Sequence, residues 1–164
     1  MNERDAVKKN ETCELPDDNP PDAEIESILR GSRTIAIVGM SDNPERESYE
    51  VGRYLKDNGY EIIPVNPSKR EILGEKCYPD LKSIPKKIDV VDIFRNIEAI
   101  PGVVDEAISA GAKAVWMQLG LAHHESAQKA RRAGLAVVQS RCMKIEHKRV
   151  FGKGLSFSLR ADKE

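Results

Sequence analysis

Two kinds of segment alternate along most of the chain. Short apolar runs that are rich in β-branched residues and bounded by turn residues indicate strands buried on both faces. Longer segments with apolar residues at i, i+3, i+4 and i+7 indicate amphipathic helices. The clearest helical segment has five such residues on one face: Ile100, Val103, Val104, Ala107 and Ile108. The pattern predicts strands at 34–39, 61–65, 89–94, 114–119 and 135–139, and helices at 22–31, 46–58, 100–111 and 123–133.

This alternation predicts the fold class. Strands separated by helices form parallel sheets through right-handed crossovers. We therefore expect an α/β fold: a doubly wound, mostly parallel five-stranded Rossmann-like sheet with helices on both faces. Such a sheet binds its ligand beyond the carboxyl ends of the strands. These ends fall at 39–46, 66–69, 94–96, 118–121 and 140–144.

The chain of 164 residues is long enough for one domain with its own core. Residues 1–21 are polar and acidic and end in Asn19-Pro20-Pro21, which predicts a disordered tail. We expect the domain to occupy residues 22–150 and residues 151–164 to form a C-terminal extension. The segment 69–87 shows no long periodic run, so it is predicted to be a connection with at most one short helix.

Composition and charge narrow the range of partners. No apolar run approaches the roughly 18 residues of a membrane span, and the N-terminus lacks the apolar region of a secretory signal. We therefore expect a cytoplasmic protein without a membrane partner. Residues 1–22 carry a net charge of −4 against −1 for the whole chain, which leaves +3 for the remainder. This mild excess suits an anionic small ligand, although ordinary surface charge explains it equally, and it is too weak to indicate nucleic acid.

Cysteine and histidine spacing argues against disulfides and metals. The three cysteines are far apart, and no two of them have CxxC spacing, so neither a disulfide framework nor a structural zinc site is predicted. The adjacent His123 and His124 would diverge by about 100° on a helix. No metal site is expected.

The loop after the first strand is the most informative segment. A dinucleotide site would have the pattern G-x-G-x-x-G here, so that the backbone can approach the pyrophosphate. The residues from Gly39 to Arg46 contain no second glycine. They offer instead the hydroxyl of Ser41, the guanidinium of Arg46 and, in the next turn, the hydroxyl of Ser48, beside amides at a helix start that favour an anion. The loop is either a phosphate-binding loop or a helix-start loop with solvated polar groups.

The end of the second strand argues against NAD. An NAD site usually carries an acidic residue there to hold the ribose hydroxyls. This strand ends instead in Asn66, which is followed by Lys69 and Arg70. Cations at this position suit a phosphate near the ribose, such as the 2′-phosphate of NADP or the 3′-phosphate of coenzyme A.

The third and fourth strands end in candidate ligand contacts. Phe94 and Arg95 would pack a ligand and hold its phosphate, or they are a core residue and a solvated cation. Gln118 is a polar group at a ligand-facing edge, and Gly120 permits close approach or forms a simple turn.

Cys142 follows the fifth strand, between Arg141 and Lys144. Neighbouring cations lower a thiol pKa and raise its reactivity, so a redox role is one interpretation. A buried structural cysteine is the other, because no base is identifiable beside it.

Taken together, these residues resemble a known family. The chain is similar to the small bacterial and archaeal CoA-binding proteins, single Rossmann-like domains that look like the N-terminal CoA-binding domain of the succinyl-CoA synthetase alpha subunit. The resemblance covers about residues 22–150. Four segments carry it: IAIVGMSDNPERESYEVGRYL, GYEIIPVNPSKREILGEKCYPDL, DVVDIFRNIEAIPGVVDEAISAGAKAVWMQLG and GLAVVQSRCMKIEH.

The resemblance implies a nucleotide subsite. It assigns the loop with Gly39, Ser41, Arg46 and Ser48 to the CoA pyrophosphate. It assigns Asn66 and Lys69 to the adenosine and its phosphate, and it packs Phe94 and Arg95 against the nucleotide.

The resemblance also places Gln118 and Gly120 nearer the pantetheine arm, and Cys142 matches a cysteine at the corresponding turn of the synthetase domain. The chain has no counterpart of the synthetase's second domain, so ligase activity is not expected.

The leading expectation is therefore a stand-alone module that binds CoA or an acyl-CoA without catalysis of its own. The alternative is an NADP-dependent oxidoreductase, or another nucleotide-using enzyme, on the same fold. A further hypothesis is a mixed disulfide between Cys142 and the CoA thiol. An exposed sheet edge is compatible with a homodimer.

Overall fold

The structure, a computed structural model, describes residues 18–162 and the side chains of residues 18–152. Within that range the helices are α1 (Asp22–Gly31), α2 (Glu47–Asp57), α3 (Ile100–Ser109), α4 (His124–Arg132) and α5 (Met143–Asp162). The strands are β1 (Thr34–Val38), β2 (Glu61–Val65), β3 (Glu71–Ile72), β4 (Glu75–Lys76), β5 (Val90–Ile93), β6 (Ala114–Met117) and β7 (Ala136–Val138). Two 3₁₀ turns lie at Leu81–Ser83 and Ile97–Ala99.

Five strands form one parallel sheet in the order β2-β1-β5-β6-β7. The chain runs outwards from β1 to β2 and then returns to the other side of β1 to form β5. The strand order therefore reverses between β1 and β5, which opens a crevice at their carboxyl ends. This sheet confirms the predicted fold class.

Two apolar layers cover the faces of the sheet. Helices α3 and α4 pack on the face that includes Ala36 and Val38 of β1, whereas α1, α2 and α5 pack on the face that includes Ile35 and Ile37. Every residue of β1 is buried, which is why its sequence is a continuous apolar run rather than an alternating one. Trp116 of β6 is fully buried on the second face, and its indole N–H donates to the carbonyl oxygen of Arg141 at 2.8 Å.

The segment 69–87 contains a hairpin that the sequence pattern did not predict. Strands β3 and β4 pair antiparallel over two residues each, which is too short for a period to appear. Leu73 and Gly74 join them with positive φ angles of 56° and 76°, as a type I′ turn requires. Leucine is an uncommon residue in this position, so the usual Asn-Gly signal is missing.

A helix and several contacts of the described chain cross the two ends of the predicted domain, 22–150, and the division itself stays a prediction. Helix α5 continues across residue 150. Asn19 exchanges two hydrogen bonds of 2.8 Å with the backbone of Gln139, and Asp18 pairs with Arg131 at 2.7 Å. The rest of the predicted tail, residues 1–17, lies outside the described residues. No helix in the described part of the chain is long and apolar enough to cross a bilayer.

Gly39 ends β1 in a conformation and at a packing distance that only glycine allows. Its φ is +85°, and a Cβ built on it would lie 2.1 Å from the carbonyl oxygen of Phe94. Gly59 has a similar φ of +97° but has nothing within 4 Å of a built Cβ. The two glycines therefore separate the effect of backbone conformation from that of close packing.

We expect Gly59→Ala to lower the free energy of unfolding by about 1–2 kcal/mol, because a Cβ is strained at positive φ. Gly39→Ala should lose roughly 1–3 kcal/mol more, because the loop after β5 must move away from the new methyl group. Urea unfolding of both variants measures the difference. Equal losses would show that the Phe94 carbonyl moves aside freely.

Candidate binding site at the carboxyl edge of the sheet

The loop after β1 is held in shape by its own side chains. The Ser48 hydroxyl oxygen accepts from the Ser41 amide at 2.9 Å, and the Ser41 hydroxyl oxygen accepts from the Asn43 amide at 3.0 Å. Helix α2 starts directly after this loop, and its N-cap residue, Arg46, makes no side-chain capping hydrogen bond. The backbone amides of the first turn of α2, which receive no side-chain cap from Arg46, and the helix dipole both favour an anion at this position.

Asn66 and Lys69 connect the end of β2 to the first loop. The Asn66 side-chain amide donates to the carbonyl oxygen of Met40 at 2.9 Å, and its oxygen accepts from the Ser68 amide at 2.8 Å. The Lys69 ammonium lies 3.0 Å from a carboxylate oxygen of Asp42. Both side chains thus hold the two loops together. Sequence reasoning missed Asp42, because nothing in a linear pattern shows which cation it faces.

Two cavities adjoin at this edge and share Gly39 and Arg95. The β2-side cavity has a volume of about 320 Å³ and lies between the ends of β1 and β2 and helix α3, where Asn66, Asp80 and Glu106 line it. The β6-side cavity has a volume of about 510 Å³ and lies between the start of α2 and the end of β6. Both volumes are typical of small-molecule sites.

The β6-side cavity brings together most of the predicted site residues: Gly39, Ser41, Arg46, Ser48, Phe94, Arg95 and Gln118. Asn66 lines the β2-side cavity, whereas Lys69 and Gly120 line neither. Gly120 turns the chain with a φ of +89°, and its amide donates to the Ser140 hydroxyl at 3.1 Å. Gly120 thus forms a turn, and its predicted contact with a ligand stays a prediction.

Two cations of the β6-side cavity are available to an anion. The guanidinium groups of Arg46 and Arg95 form no ion pair with any of the residues whose side chains are described. Both residues are exposed, and Glu47 is the acidic neighbour on the same wall. Guanidinium groups bind phosphate through two parallel hydrogen bonds.

A buried polar pair adjoins the β6-side cavity, because Gln118 is one of its lining residues and Asp92 is hydrogen-bonded to Gln118. Gln118 is only 4% exposed, and Asp92 of β5 is fully buried behind it. The Gln118 side-chain amide donates to Oδ1 of Asp92. Asp92 Oδ2 and Gln118 Oε1 accept no hydrogen bond from the described residues. A buried acceptor without a donor costs about 1–3 kcal/mol.

Burial raises the pKa of Asp92 to about 7, and the hydrogen bond from Gln118 opposes that rise only in part. Sequence reasoning missed this residue. The available signal was one carboxylate inside an otherwise apolar strand, Val90-Val91-Asp92-Ile93, where an unpaired charge would be costly.

Cys142 is 4% exposed, and burial raises its thiol pKa, while the amides of Ile145 and Lys144 oppose that rise. Both neighbouring cations are engaged elsewhere, since Arg141 lies 3.3 Å from Glu146 and Lys144 lies 3.5 Å from Glu50. The redox interpretation of Cys142 has a lowered thiol pKa as its premise, whereas burial outweighs the cations and raises this pKa. The structure does not support the electrostatic premise of the redox hypothesis.

His123 accepts a hydrogen bond of 3.2 Å from the Ser126 amide through Nδ1 and so caps α4. Among the described residues, no cluster of three or more potential ligands could hold a metal ion.

Comparison with known proteins identifies similar chains. Residues 33–148 match the family model described as "CoA binding domain". The "Uncharacterized protein YneT" of Bacillus subtilis is 44% identical over 129 residues, which make up 79% of this chain and 96% of YneT. The solved structure of a hypothetical protein from Pyrococcus horikoshii OT3 has a TM-score of 0.80 and 43% identity, and the match covers 84% of this chain and 97% of that one.

A larger protein matches over a shorter range. Acetate–CoA ligase [ADP-forming] II of Archaeoglobus fulgidus is 32% identical over 83 residues. These residues make up 49% of this chain but only 12% of the ligase. The similarity therefore concerns one small part of the ligase.

The buried carboxyl group makes stability depend on pH. The folded state keeps the Asp92 proton up to a pH of about 7, whereas the ordinary pKa is 3.8. Since the folded state binds more protons in this window, Asp92 lowers stability as the pH rises through it, by at most about 4 kcal/mol.

We expect Asp92→Asn to remove this contribution, so that the variant gains thermal stability over the parent at pH 8 and gains less at pH 5. Thermal unfolding of both proteins at the two pH values measures the effect. Parallel pH profiles for parent and variant would contradict it.

Proposed function

The chain belongs to the family of CoA binding domains, and on this premise we propose that it binds coenzyme A or an acyl-CoA as a stand-alone module. One observation carries the proposal: two adjoining cavities meet at Gly39 and Arg95, at the carboxyl edge of a parallel sheet. An elongated ligand with a charged middle fits this arrangement, since the shared guanidinium lies at the junction.

The β2-side cavity suits the adenosine. Its lining combines apolar side chains, including Val65 and Leu81, with the carboxylates of Asp80 and Glu106. Carboxylates accept hydrogen bonds from ribose hydroxyls and from an exocyclic amino group, and they repel phosphate. The phosphates therefore belong outside this cavity.

The junction and the first loop suit the pyrophosphate. Arg95 is shared by both cavities, and Arg46 lies on the wall of the β6-side cavity. Helix α2 starts directly after Arg46. Lys69 is the cation that suits the 3′-phosphate, since it follows Asn66 at the end of β2. A phosphate there would share the lysine with Asp42 or displace that carboxylate.

The β6-side cavity suits the pantetheine arm. Phe94, Leu119 and Leu121 give it apolar surface, and Leu119 is 61% exposed, which makes it one of the large apolar side chains that the described structure leaves in solvent. An apolar arm that covers Leu119 would remove this surface from water.

An NADP-dependent enzyme is the second candidate, and the position of Lys69 is what favours it. A cation after the second strand also suits the 2′-phosphate of NADP. The loop after Gly39 lacks the further glycines of a dinucleotide site, and this absence favours CoA.

We expect Arg95→Ala to weaken the binding of CoA by about tenfold to a hundredfold, because a charge-assisted hydrogen bond contributes about 1.5–3 kcal/mol. Isothermal titration with CoA measures the loss. Arg53→Ala is the matched control, since Arg53 is a surface arginine of α2, with a side chain that is 68% exposed, and it lines neither cavity. Equal affinities of Arg95→Ala and Arg53→Ala would contradict the proposed site, and binding of NADP but not CoA would favour the second candidate.

Lys69→Ala should lose affinity for CoA but not for dephospho-CoA, because only CoA carries the 3′-phosphate. The control is Lys86→Ala. Lys86 forms an ion pair with Glu61 at the start of β2, away from the carboxyl edge, and the two side chains of this pair are about as exposed as Lys69 and Asp42. Titration of the parent and both variants with CoA and with dephospho-CoA gives, for each protein, the ratio of its affinities for the two ligands. A ratio for Lys69→Ala that equals the parent's would remove Lys69 from the phosphate site.

A further inference from the structure

A third cavity lies at the opposite edge of the sheet, before the amino ends of β1 and β2. It has a volume of about 430 Å³ and lies between segment 29–33, segment 58–60 and helix α5. We call it the amino-edge cavity, and its lining includes Arg30, Arg33, Tyr60, His147 and Phe151. It shares no lining residue with the two cavities at the carboxyl edge.

Guanidinium groups give the amino-edge cavity its charge. Arg30 and Arg33 line it, and none of the described residues in its wall is Asp or Glu. Arg30 pairs with Glu26 at 2.6 Å. The guanidinium of Arg33 is exposed and forms no ion pair with any residue whose side chain is described. A guanidinium in a wall without carboxylates suits an oxyanion, which it binds through two parallel hydrogen bonds.

The ends of α1 and α2 meet at this cavity, and a helix end of this polarity disfavours an anion. Carbonyl groups near the end of α1 are nevertheless occupied. The Ser32 hydroxyl donates to the carbonyl oxygen of Ile28 at 2.6 Å, and the Tyr60 hydroxyl donates to that of Leu29 at 2.6 Å. A helix dipole also contributes less than a charge-assisted hydrogen bond does. The guanidinium groups therefore outweigh the helix ends.

His147 supplies a further polar atom to the cavity. It lines the wall and is 6% exposed. Its Nδ1 lies 2.7 Å from the hydroxyl of Tyr54, which is not in the wall, and its Nε2 has no hydrogen-bond partner among the described residues. Burial lowers the pKa of His147, which favours the neutral ring. A neutral ring that accepts from Tyr54 through Nδ1 carries its hydrogen on Nε2, where it can donate to an anion.

Aromatic rings give the cavity its apolar surface. His147 and Phe151 are four residues apart and so share a face of α5, with ring centroids 4.5 Å apart. The Tyr60 ring lies 5.7 Å from that of His147. A bare inorganic anion would leave this surface in water, whereas an anion on an apolar body would cover it.

We propose that the amino-edge cavity binds a small organic anion, which carries a carboxylate or a phosphate on an apolar body. Arg33 binds the anionic group through its guanidinium, His147 donates to it from Nε2, and the rings of Tyr60 and Phe151 pack against the apolar body. Because this site lies at the opposite edge of the sheet from the candidate CoA site, it does not depend on the proposed function.

The test uses the side-chain signals of the three histidines in proton–nitrogen correlation spectra. The probes are benzoate, phenyl phosphate and inorganic phosphate. We expect benzoate, phenyl phosphate or both to shift the Nε2 signal of His147 saturably, because this atom faces the anionic group. Shifts confined to His123 and His124, at the start of α4, would place the anion at the carboxyl edge and overturn the proposal.

A pair of arginine variants tests the role of the guanidinium. Arg33→Ala should weaken the binding of the organic probes by about tenfold or more. Arg53→Ala is the matched control, since Arg53 is an exposed arginine of α2 that does not line the amino-edge cavity, and it should bind the probes as the parent does. Thermal unfolding of both variants confirms that the compared proteins are folded.

Three further results would overturn the proposal. The first is the absence of any His147 shift with all three probes. The second is an equal loss of affinity for Arg33→Ala and Arg53→Ala, which would assign binding to general surface charge. The third is inorganic phosphate that binds as tightly as phenyl phosphate, which would remove the apolar body from recognition. The ratio of the affinities for benzoate and phenyl phosphate identifies the anionic group that the site prefers, and either preference supports the proposal.

Discussion

The close approach of two chain segments at Gly39 determines the shape of the whole site. The carbonyl oxygen of Phe94 occupies the space where any other residue would carry its Cβ, while the Gly39 amide donates to Val65 at 2.9 Å. The ends of β1, β2 and β5 therefore meet at one residue. This contact divides the crevice at the strand reversal into two cavities and leaves Arg95 at their boundary.

The sequence was sufficient for the fold where burial repeats at a fixed period. The unbroken apolar run of β1 and the period of α3 each predicted their element to within a few residues. The pattern failed where the elements are too short, since the two-residue strands β3 and β4 have no period to detect.

The candidate site was predictable in its position but not in its pairings. Strand ends are visible in a sequence, so Arg46, Arg95 and Gln118 were identified. The partners of Asn66 and Lys69 come from a separate loop, and only the folded chain shows that these two side chains join loops. Cys142 shows that a pKa also depends on burial, which a sequence does not show. Its neighbouring cations would lower the thiol pKa, whereas burial in the fold raises it.

Trp116 makes the surroundings of Asp92 and Gln118 accessible to fluorescence measurements. It is the chain's single tryptophan, it is fully buried, and it pairs in register with Asp92 on the neighbouring strand. Its indole also donates to the backbone of Arg141, in the turn that leads to Cys142. Fluorescence excited selectively at tryptophan therefore arises from one side chain, which lies two residues before Gln118, and its emission reports changes around Asp92 and Gln118 without any added probe.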